Sequence, residues 1–160
     1  MQGRQDFIIR DMWQADAAAV AALIRAAFGT QSVATDPPLS AVQETDESVL
    51  AELATGGGAC AVVGGRVVGS LLWHREPRGL YIGRLSVARE ARNVGVAQGL
   101  IAAAEIACRS MGLTRLLLST RLVLTDNRRL FARCGFIEGR EYAHPGYPHP
   151  TAVDMEKSVS

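Results

Sequence analysis

The stretch Leu85-Ser86-Val87-Ala88-Arg89-Glu90-Ala91-Arg92-Asn93-Val94-Gly95-Val96-Ala97 carries the residue types best suited to chemistry. It joins a β-rich run to the start of a long amphipathic segment. The first N–H groups of a helix have no partners inside it and point outward, so they attract anions. Small residues such as Gly95 and Ala97 let a phosphate approach that backbone, and Arg92 adds a fixed positive charge. Taken alone, the pattern has two readings, an ordinary helix start with a surface arginine or a built anion site. Two familiar phosphate motifs are excluded. No GxxxxGK[ST] occurs, and Gly95-Val96-Ala97-Gln98-Gly99 lacks the GxGxxG spacing and does not open a βαβ unit. Ser86 lacks the GxSxG surroundings of a hydrolase nucleophile. Cys60, Cys108 and Cys134 are far apart and form no CxxC pair, so they read as free, mostly buried thiols in a reducing compartment, and no metal is expected.

Several elements must position these residues. Phe7–Arg10 predicts a short strand, and Ala15–Phe28 a helix with Val20, Leu23, Ile24 and Phe28 on one face and Gly29 at its end. Pro37-Pro38 interrupts the next stretch; Asp46 then caps a second helix through Leu53, and Gly56-Gly57-Gly58 reads as punctuation. Ala59–Val63 and Arg66–Trp73, joined by Gly64-Gly65, predict a hairpin ending near Trp73 and His74. Leu80–Val87 adds a third strand, and Val94–Met111 is a long helix with Val96, Leu100, Ala104, Ala107 and Met111 near one face. A strand at Arg115–Thr120, a helix at Asp126–Arg133 and strands near Phe136–Tyr142 and Thr151–Lys157 follow. The order β-α-α-β-β-β-α-β-α-β-β predicts one mixed α/β domain over residues 1–160, with helices packed on a mixed sheet.

Composition agrees. A chain of 160 residues, 48% hydrophobic and 21% charged, fits one globular domain. A net charge of +1 with no basic patch gives no ground for nucleic-acid or membrane partners. The first residues lack an apolar run, and the alanine-rich helix carries Asp16 and Arg25, so a cytoplasmic protein is expected.

The chain resembles the GNAT superfamily of acetyl-CoA-dependent N-acetyltransferases. Leu85-Ser86-Val87 followed by Arg92-x-x-Gly95-x-Ala97 is similar to that family's strand ending and [RQ]-x-x-G-x-[GA] helix start. Asn127 to Phe136, with its aromatic-x-x-x-Gly-Phe ending, is similar to a second family element, and the element order matches along essentially the whole chain. The resemblance implies a mostly antiparallel sheet of about seven strands flanked by about four helices. It implies that backbone groups of Leu85, Ser86 and Val87 pair with the pantetheine arm of acetyl-CoA. N–H groups of Asn93, Val94, Gly95, Val96, Ala97 and Gln98, with Arg92, would hold the pyrophosphate, and Asn127 would reach the arm from the other side.

The implied chemistry is direct attack of a neutral amine on the thioester. The Val87 N–H would stabilise the oxyanion. Phe131 stands where the family often has a tyrosine that protonates the leaving sulfur, and it has no proton to give. The resemblance places Glu44, within a P-x-x-A-x-x-E-T segment, beside the acceptor as base or ammonium holder, and the loop residue His144 on the same side for proton transfer; the other readings are a solvent-exposed helix-capping carboxylate and a loop histidine with structural hydrogen bonds. Tyr81, Arg84 and Tyr147 are further acceptor-side residues, with a structural salt bridge as the other reading of Arg84. Arg128-Arg129 has two readings, contact with the CoA 3′-phosphate or a solvated helix face. The expected reaction is acetyl transfer to a primary amine of a small molecule or peptide; the alternative is a non-catalytic acyl-CoA-binding module on the same fold. A homodimer through the last strands is a further possibility, by analogy with the family.

Overall fold

The computed structural model describes residues 6–30 and 33–160. Strand β1 (Ile8–Asp11) leads into α1 (Ala17–Gly29), and α2 (Asp46–Thr55) follows a proline-containing segment. Strands β2 (Gly56–Val63), β3 (Arg66–Glu76) and β4 (Gly79–Val87) form an antiparallel meander. Helix α3 (Val96–Ser110), β5 (Arg115–Arg121), α4 (Thr125–Arg133), β6 (Ile137–Tyr142) and β7 (Ala152–Ser158) complete the order. Among the described residues, the seven-stranded sheet runs β1-β2-β3-β4-β5-β7-β6, and only the β4–β5 pair is parallel.

Side chains alternate across a strand, so each central strand feeds two cores. Ala59 and Ala61 of β2 pack with Leu100, Ala104 and the rest of the α3 side, whereas Cys60 and Val62 pack with Val20, Ile24 and Val49 of α1 and α2. Helices therefore cover both faces.

Four local expectations are corrected. The Gly56-Gly57-Gly58 triplet does not punctuate; it opens β2, because strand β3 lies too close for side chains there. A Cβ at Gly56 would stand 2.1 Å from the Trp73 carbonyl oxygen, and one at Gly57 would stand 2.7 Å from the Trp73 indole nitrogen. Thr45 rather than Asp46 caps α2, its hydroxyl accepting from the Ser48 N–H. β3 runs past Trp73 and His74 to Glu76, paired there with Gly79. Met111 lies beyond the end of α3 and is exposed rather than packed on its apolar face.

Candidate functional site

The parallel β4–β5 pairing is confined to Leu80↔Leu116 and Tyr81↔Leu117. Beyond it the strands diverge, and the rest of β4 has a free edge facing the gap. β4 is also bulged: Leu72 pairs with Gly83 and Ser70 with Ser86, so Arg84 and Leu85 together oppose Leu71. Arg84 takes up the kink at φ 58°, a left-handed conformation uncommon for a side-chain-bearing residue. Past the bulge, the Ala88 N–H donates to Val68 O at 2.8 Å. Strand alternation then turns the N–H and C=O of Val87 away from β3 and into the gap. The guanidinium of Arg92 donates to that carbonyl at 3.3 Å.

One cleft of about 800 Å³ runs from this edge over the start of α3. Its walls include Ser86, Val87, Arg92, Asn93, Gly95 and Ala97, with Gln98, Arg89, Arg129 and Arg133 adding to the same rim. Asn93 at φ 63° and Gly95 at φ 92° turn the chain sharply just before the 15-residue helix. Consecutive turns of this kind aim backbone N–H groups into a concavity that suits phosphate oxygens. A Cβ at Gly95 would meet nothing within 4 Å, so its requirement for glycine is conformational. Val94 instead packs against the core. Arg128 is turned away, donating to Glu138 Oε1 at 2.5 Å, while Arg129 lines the cleft. A free strand edge continuous with a basic, concave helix start fits the pantetheine and pyrophosphate of an acyl-CoA.

A second cleft, of about 440 Å³, lies on the α1–α2 side of the same gap. Phe28, Leu85 and Asn127 line both clefts, so the two are continuous. Tyr81, Arg84, Phe131 and His144 line the second one. Glu44 stands behind its wall: it is only 5% exposed, pairs with Arg84 Nε at 3.0 Å and accepts from the Ser48 hydroxyl at 2.5 Å. His144 Nδ1 meets the Thr151 hydroxyl, and burial with Arg121 nearby lowers its pKa, favouring neutral imidazole. Tyr81 stacks on His74, and burial raises its phenol pKa. Tyr147 is directed elsewhere, its hydroxyl donating to Asp36 Oδ1 at 2.5 Å.

Tyr142 and Glu52 are among the lining residues that the sequence reading did not single out. Tyr142 places its hydroxyl 2.5 Å from that of Ser119 at the β5 side of the pocket. Glu52 enters the wall from α2, and its Oε2 is buried without a hydrogen-bond partner. Burial, then the neighbouring Glu44 carboxylate, push the Glu52 pKa up to about 7, with Arg84 opposing. Its signal was present in the sequence: Glu52 stands three residues after buried Val49, on the inward flank of the helix.

Comparison with known proteins places the chain in a family. A family model described as the acetyltransferase (GNAT) family matches residues 19–136, which takes in both clefts' central elements. The chain belongs to the GNAT acetyltransferase family. It is therefore an acyltransferase with acetyl-CoA as acyl donor. Many solved structures share this GNAT fold. Ard1 from Thermoplasma volcanium superposes with a TM-score of 0.76 at 19% identity, covering 96% of this chain and 98% of that one. A Klebsiella pneumoniae protein assigned as an acyl-CoA N-acyltransferase gives 0.72 at 26% identity, covering 98% and 100%. A Bacillus anthracis acetyltransferase in complex with acetyl coenzyme A gives 0.62 at 18% identity, covering 66% and 64%. No curated protein matches at a significant level. Among the described residues, no helix is long and apolar enough to cross a membrane.

Proposed function

We propose that this GNAT protein moves the acetyl group of acetyl-CoA to a primary amine of a small molecule or peptide. The observation carrying this reading is the junction at Phe28, Leu85 and Asn127 between the basic, phosphate-suited cleft and the pocket walled by Glu52. A donor held along the larger cleft would present its reacting end to the pocket that Glu52 lines. Leu85, Ser86 and Val87 would pair with the pantetheine, N–H groups from Asn93 to Gln98 and the Arg92 guanidinium would hold the pyrophosphate, and Asn127 would close the opposite side. The Val87 N–H is turned toward the gap where charge develops on the thioester oxygen. Glu44 acts from behind the wall, since Arg84 and Ser48 already occupy its oxygens. His144 and Tyr81 line the acceptor path.

Phe131, buried in the same pocket, offers the leaving sulfur no proton, so turnover rests on alignment of amine and thioester. Calorimetry with acetyl-CoA, followed by thiol release with a panel of amines, tests the donor site and then the acceptor class. Micromolar binding is expected, weakened about 10- to 100-fold by Arg92→Glu, since a charged hydrogen bond is replaced by repulsion. Binding without thiol release from any amine would refute the amine-acceptor reading, and no binding by folded protein would refute the assignment of the donor cleft.

A further inference from the structure

Among the described residues, the acceptor pocket is lined by one carboxylate, that of Glu52. Glu44 is fully engaged by Arg84, by the Ser48 hydroxyl and, through its own carbonyl, by Arg25 Nη1 at 2.6 Å. Glu52 lines the cavity, yet its buried Oε2 has no donor. A buried acceptor left unpaired is costly unless something supplies the missing hydrogen. The charged and titratable groups around it are few. Glu44 and Arg84 stand beside it, His74 and Tyr81 come from β3 and β4, Arg121 from β5, and Tyr142 and His144 from β6 and the loop after it. Among these cations, Arg84 is held by Glu44, and Arg121 donates to the carbonyls of Pro37 and Pro38. His144 favours its neutral form.

We propose that Glu52 receives the acceptor's ammonium group and takes its proton. This rests on the amine-acceptor reading above. The substrate arrives as R–NH₃⁺ and donates to the Glu52 carboxylate. One proton passes to Glu52, leaving R–NH₂ with a free electron pair. The nitrogen bonds to the acetyl carbon, the carbon–sulfur bond breaks, and its electron pair stays on sulfur. A second proton leaves nitrogen and ends on that sulfur, and the proton on Glu52 returns to solvent. The acetylated product is neutral at nitrogen and no longer pairs with Glu52, which favours its release. The arrangement also selects substrate: a carboxylate beside the amine would face Glu52 and Glu44, so simple amines should be preferred to α-amino acids.

The test compares wild-type protein with Glu52→Gln and Glu52→Asp, using the best amine of the panel. Circular dichroism checks folding, and calorimetry with acetyl-CoA checks the donor site. In wild type, kcat/KM should fall on acidification with an apparent pKa near the value of about 7 for Glu52. Glu52→Gln should bind acetyl-CoA unchanged, lose about 10²- to 10⁴-fold in kcat/KM and lose that acid limb. Glu52→Asp should keep the limb, shifted, with a raised KM. If Glu52→Gln kept wild-type kcat/KM and the same pH profile, the proposal would be overturned while amine acetylation stood. If wild type bound acetyl-CoA but acetylated no amine, the acceptor reading would fail and this proposal with it.

Discussion

At the scale of single residues, the second cleft turns on how Arg84 is shared. Its guanidinium holds Glu44 and also donates to Ser40 Oγ at 3.0 Å, from a backbone position that a bulge has forced to φ 58°. Removing one partner of a largely buried pair leaves an uncompensated charge, which costs more than the pair itself contributes. Arg84→Met should therefore destabilise the protein at pH 8 by about 2 kcal/mol, partial exposure of the arginine keeping the loss below that of a fully buried pair. Denaturant titration measures this. Arg84 also lowers the Glu52 pKa, so the same variant should move the acid limb of kcat/KM above that of wild type. The reading of Arg84 as a structural salt bridge was available from its strand position; its link to the acid–base behaviour of Glu52 was not.

At the scale of elements, the glycines separate into steric and conformational requirements. Gly56 opens β2 against the backbone of Trp73, which cannot yield as a flexible side chain would. Gly56→Ala should cost about 2 kcal/mol in denaturant titration, as overpacking does elsewhere. Gly29, the last residue of α1, has open space where a methyl group would stand, with no atom within 4 Å. Gly29→Ala should be neutral or stabilising by a few tenths of a kcal/mol, because alanine is the better helix former. Equal losses for both substitutions would refute the steric account of the triplet. Local sequence could not make this distinction. Three glycines in a row read as a turn, and only the approach of β3 shows why a strand excludes side chains there.

At the scale of the whole molecule, the raised pKa of Glu52 makes stability depend on pH. Its carboxyl binds a proton more tightly when folded, so the folded state holds more protons between about pH 4.5 and 7. Stability from this group is therefore greatest below that window and falls as pH rises through it. Solvent screening at a pocket wall limits the loss to about 1 kcal/mol. Asp16, held low by its hydrogen bonds with Arg10, works in the opposite sense and loses its contribution only on stronger acidification. His144, whose pKa is lowered, favours the folded state more as pH rises toward its ordinary value of 6.5. Thermal melts at pH 5 and pH 8 should show a smaller drop in Glu52→Gln than in wild type; an identical drop would remove Glu52 from the linkage. The element order, the mixed sheet with helices packed on it and the family were legible along the chain, because periodicity and short-range motifs are local properties. Where β4 and β5 part, which carboxylate is engaged by Arg84 and which is left facing the pocket became visible only in the folded molecule. Those outcomes depend on contacts between Glu44, Glu52 and Arg84, whose meeting is set by how α2 packs on the sheet.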